Sequence, residues 1–67
     1  MKVGDLVRAY ELGPIGIVVS PCRRSTPMDN HKLGVMYHDV HPVVEVLFRD
    51  TVSVWDIDQL ELVSENR

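Results

Sequence analysis

Cysteine is nearly absent: Cys22 is the only one in 67 residues. A single thiol closes no internal disulfide, so packing must hold the fold, and nothing in the cysteine usage asks for an oxidising compartment. Aromatic residues are scarce at 6%, confined to Tyr10, Tyr37, Phe48 and Trp55, which removes the aromatic-lined groove that grips a proline-rich ligand. No stretch approaches the roughly 18 apolar residues of a membrane span. Lys2, Asp5 and Arg8 interrupt the apolar run a signal peptide would need. The expectation is a cytoplasmic protein, neither exported nor inserted. Positive charge is also in deficit: the net charge is −3, which disfavours a polyanionic partner. The distribution is polarised. Arg23, Arg24 and Lys32 share one segment opposed by Asp29, whereas Asp50, Asp56, Asp58, Glu61 and Glu65 make the C-terminal third acidic.

What is present is aliphatic. Hydrophobic residues make up 45% of the chain and charged residues 25%, the composition of a folded globular domain. A chain of this length forms one domain, residues 1–67, which buries only about 60% of the surface its unfolded form exposes. Val3, Leu6 and Val7 open a first strand, and Glu11 to Pro14 form a loop because Gly13-Pro14 punctuates a turn. Ile15 to Ser20 is β-branched and reads as the second strand, in which Gly16 marks a bulge or a close backbone approach. Residues 21–34, PCRRSTPMDNHKLG, show no sustained period and read as a long irregular loop. Val35, Met36 and Tyr37 form either a short strand or that loop's return, and His38 to Pro42 a turn.

Val43 to Arg49 is the clearest strand, with Val44, Val46 and Phe48 on its core face. Arg49, Asp50 and Thr51 form a tight turn into a partner strand that reaches Trp55. Asp56 then caps a single turn through Gln59, and Leu60 to Val63 closes the chain as a last strand. The expected core is Val44, Val46, Phe48, Val52, Leu60 and Leu62. Five short strands without a long helical period predict a small all-β barrel.

The opening VGDLVR, the later GPIGIVV, the VLF before a turn and the ending WDIDQLELV together resemble the small SH3-like barrel proteins of tailed phages, including phages of cyanobacteria. The similarity spans the chain except Pro21 to Asp39. It implies a five-stranded SH3-like barrel with a short 3-10 turn before the last strand, and a phage origin, with the protein in the host cytoplasm or the virion. Gly4, Asp5, Val7, Gly13 and Gly16 bear a weaker resemblance to a KOW element. A shared fold does not carry function with it.

Several residues are candidates for chemistry. Cys22, His31, His38 and His41 are soft metal ligands within twenty residues, but their spacing matches no paired zinc pattern, and the plain reading is solvated loop side chains. Arg23, Arg24, His31 and Lys32 make a phosphate-gripping patch if the loop folds them together. Trp55 is the one large side chain suited to anchoring a partner, its plain role being to cap the barrel end over Ile57 and Leu60. The carboxylates near Asp56 are explained by capping, and so small a chain has little room for a catalytic pocket. The expectation is no enzyme and no cofactor. The chain reads as a protein-protein interaction module using Trp55, Tyr37, Arg23 and Arg24, with homo-oligomerisation open to it through unpaired strand edges. The alternative is a weak nucleic-acid-binding module of KOW or Tudor-like type, using residues 21–32.

Overall fold

The computed structural model describes residues 1–9, 13–36 and 38–66. Tyr37 and most of the first expected loop, Tyr10, Glu11 and Leu12, lie outside them. Element order is β1 (Leu6–Ala9), β2 (Ile15–Val18), β3 (Arg23–Arg24), α1 (Pro27–Leu33), β4 (Pro42–Phe48), β5 (Thr51–Asp56), a 3-10 turn (Ile57–Gln59) and β6 (Leu60–Ser64). The fold is mostly β, as expected, but the described residues form six strands rather than five, in one antiparallel sheet that does not close. Along it run β5, β4, β2, β1 and β6, with β3 joined to β4 beside β2. Gly16 sits where β2 crosses β4: a Cβ there would strike the Leu47 carbonyl and the Val46 and Phe48 side chains. The close approach expected at this glycine is present, and it lets the sheet bend over its own core.

That core is Val7, Val18, Val44, Val46 and Leu60, with Met1, Phe48, Trp55 and Ile57 packed against it. The expected core strand face of β4 is confirmed in Val44 and Val46, both fully buried. Two expected core members are not there. Val52 is 53% exposed and Leu62 47% exposed. The cause at Val52 is one residue of turn length. Phe48 pairs with Thr51, so the connection is the two residues Arg49 and Asp50 rather than three. Shifting register by one flips every side chain of the partner strand, and Trp55, opposite Val44, takes the inner face instead of Val52. Arg49 adopts the left-handed conformation at φ 59° to make this turn, a strain of about 1 kcal/mol for a non-glycine residue.

The segment expected as an irregular loop contains β3 and α1. Its helix has no apolar period to reveal it; end chemistry holds it instead. Thr26 Oγ1 accepts from the Asp29 N–H, and the Asp29 carboxylate accepts from the Thr26 N–H at 2.9 Å. This is a reciprocal capping box. Pro27 opens the first turn, and Gly34 closes the last in a left-handed C-cap at φ 75°, the asymmetry expected of helix ends. Asn30, buried at 1% exposure, donates from Nδ2 to the carbonyls of Met36 and Asp39. The return of the chain to β4 is thereby fixed to the helix. Val35 and Met36 form no strand.

Candidate functional site

β3 and β4 form a short antiparallel pair extended by Ser25, whose N–H donates to the His41 carbonyl at 2.8 Å while its Oγ accepts from the His41 N–H at 2.9 Å. Against this pair lies a groove of about 500 Å³ lined by Cys22, Arg23, Arg24, Val40, His41 and Pro42. Arg23 is committed elsewhere. Its Nη1 lies 2.6 Å from Asp29 Oδ2, and this guanidinium, with the Thr26 N–H and hydroxyl, holds the Asp29 carboxyl well below the usual carboxylate range against the cost of burial. The same contact raises the Arg23 value. Arg24 is exposed. His41 Nδ1 lies 3.2 Å from Asp56 Oδ2, and Asp56 Oδ1 accepts from the Asp58 N–H at 2.9 Å. The His41 Nε2 is buried without a hydrogen-bond partner among the described residues.

A second groove, about 450 Å³, runs between α1 and β5 and is lined by Lys32, Leu33, Val52, Ser53, Val54, Trp55 and Gln59. Trp55 gives it only part of its surface. The ring packs on the core and meets Phe48 edge to face, centroids 5.6 Å apart, a geometry that adds to simple area burial. The residues named for nucleic acid therefore divide: Arg23 and Arg24 line the first groove, Lys32 the second, and His31 stands exposed on α1. Those named for a protein partner divide the same way, Trp55 apart from Arg23 and Arg24. Among the described residues no three His, Cys, Asp or Glu side chains are grouped to hold a metal ion. Cys22 and His41 share the first groove, while His38 lies 3.7 Å from Asp39 in the open.

The most distinctive surface is one the sequence reading passed over. Leu6 pairs with Ile17, Ile17 with Leu47, and Leu47 with Val52. Directly paired residues share a face, so these four form an unbroken aliphatic row across β1, β2, β4 and β5. It lies on the side away from the core. Leu6, Ile17 and Val52 are exposed by 39, 36 and 53% and Leu47 is half-buried; Ile15 and Val19, flanking Ile17 on the same face, are exposed by 55 and 41%. The signal was available in β2: Ile15, Ile17 and Val19 alternate with the buried Val18, so the segment is aliphatic on both faces. A strand of that kind belongs between two layers.

No family model, curated protein or solved structure matches this chain. Function is read from the surface itself. By contrast with the face, the sheet edges are guarded. β3 is two arginines long, and β6 carries Glu61, bonded to Arg8 at 2.6 Å, with Glu65 bonded to Lys2 at 3.1 Å just beyond it. Short, charged edges resist strand addition, and β5 has α1 beside it. No helix of the described residues is long and apolar enough to cross a membrane.

Proposed function

We propose that this chain is a non-enzymatic protein-protein interaction module, built on an SH3-like strand arrangement of the kind found in tailed phages, that binds through its outer sheet face. The order β6, β1, β2, β4, β5 with a 3-10 turn before the last strand supports the SH3-like part of this reading. The carrying observation is the exposed row Leu6, Ile17, Leu47 and Val52. The largest contiguous apolar patch on a folded domain is often a functional surface. The partner's matching surface is apolar. Trp55 serves packing first, and Arg23 serves α1, which shifts the binding role from the residues expected to carry it onto the aliphatic face.

Host-lysate capture with the wild-type chain and with Ile17→Lys tests the reading. Loss of bound protein on substitution, with the circular dichroism spectrum retained, supports it; identical capture by both chains contradicts it.

A further inference from the structure

We infer that the outer face recognises a second copy of the chain, forming a two-fold dimer in which two sheets pack face to face. This rests on the interaction reading above and names the partner. Three observations carry it: extent, charge and symmetry.

The exposed parts of Leu6, Ile15, Ile17, Val19 and Val52 sum to roughly 400 Å² of apolar surface per copy, within the range of patches that mark interfaces. Adding half-buried Leu47 and Val54 and the flanking charges brings each copy to about 500 Å², so the pair reaches the ~1,000 Å² at which a specific interface begins. An interface this small falls among weak, transient contacts, and dissociation in the micromolar range is the expected outcome.

The face also complements itself. Glu45 and Arg49 lie two residues to either side of Leu47, Glu45 within β4 and Arg49 in the turn beyond it. Arg49 makes no ion pair among the described residues. A two-fold axis lying in the interface along the aliphatic row sets Leu47 against Leu47 and Ile17 against Ile17. The same rotation brings Ile15 of one copy onto Val19 of the other, and Arg49 of one onto Glu45 of the other. Apolar meets apolar, and each cation meets an anion. Such an isologous contact closes on itself and leaves no face exposed to build a fibre. Aligned packing of two twisted sheets is a common solution for burying such faces.

Sedimentation velocity on the full chain tests the inference. Wild type is expected to pass from monomer to dimer across the micromolar range. Ile17→Lys should weaken dimerisation by about tenfold or more while the chain stays folded, since Ile17 lies outside the core; Val52→Lys, at a still more exposed position, is the second probe of the face. Arg49→Glu should weaken the dimer several-fold, and adding Glu45→Lys should restore it. A wild type that stays monomeric throughout overturns the dimer, and if Ile17→Lys still abolishes capture of a host protein, the interaction reading stands without it. A dimer indifferent to Ile17→Lys and Val52→Lys overturns the assignment to this face. A dimer weakened by those two but untouched by Arg49→Glu overturns the two-fold register.

Discussion

Two buried carboxylates do most of the polar work at the level of single residues. Asp5, 2% exposed, accepts from the Asn66 N–H at 2.8 Å and the Lys2 N–H at 2.9 Å, tying the two ends of the described chain together. Asp29 joins β3 to α1 through Arg23 and Thr26. Both carboxyls are held below their ordinary value, Asp5 by the Asn66 and Lys2 backbone donors and Asp29 by the Arg23 guanidinium. A depressed folded value stabilises the fold above the unfolded value, near pH 4 for Asp, and that stability is lost as pH falls through the folded value. Urea midpoints should accordingly drop from about pH 5 toward pH 2. Asp29→Asn should lower the unfolding free energy by about 2 kcal/mol at neutral pH, from the lost cap and charged hydrogen bonds. It should also flatten the acid limb; partial solvation of Arg23 keeps the loss below that of a buried ion pair. Trp55 is the other decisive residue. Removing its half-buried ring should cost roughly 3 kcal/mol, a large part of the stability of so small a domain, so Trp55→Ala should broaden or abolish cooperative thermal unfolding.

At the level of elements, α1 stands on its ends rather than on an apolar stripe. Thr26→Ala should cost about 1 kcal/mol, and hydrogen exchange should accelerate first at the α1 amides while β4 stays protected. This helix was hard to read because PMDNHKL has no amphipathic repeat, yet Thr26 with Asp29, Pro27 at the start and Gly34 past the end were legible as capping chemistry. The β4–β5 hairpin was readable as a pair, since alternation of valines over six residues leaves little doubt of strands. Its register was not. Arg49-Asp50 lacks the glycine or asparagine that usually announces a two-residue turn, and one residue of turn decides whether Val52 or Trp55 faces the core. Gly16→Ala offers a check on the bend between β2 and β4: overpacking against the Leu47 backbone should cost about 1–3 kcal/mol, seen as a lower urea midpoint.

For the molecule as a whole, one sheet carries aliphatic side chains on both faces, and the outer one is left exposed along Leu6, Ile17 and Val52. The inner face closes over Val7, Val18, Val44, Val46 and Leu60. Ile15, Ile17 and Val19 hinted at an outer apolar face, but the row itself was not legible, because Leu6, Ile17, Leu47 and Val52 come from four separate segments that only pairing aligns. The individual candidates the sequence offered, Trp55 and the arginines, were recognisable by type, but burial against the core and pairing with Asp29 depend on contacts between distant segments. Methyl-resolved NMR over a dilution series tests the central claim most directly, that the outer face is the interaction surface and that a second copy occupies it. The methyl signals of Ile15, Ile17, Leu47 and Val52 should move together with concentration across the micromolar range while those of Val44 and Val46 stay fixed. Shifts that are absent, or that gather instead around Arg24 and Val40 or around Leu33 on α1, would contradict it.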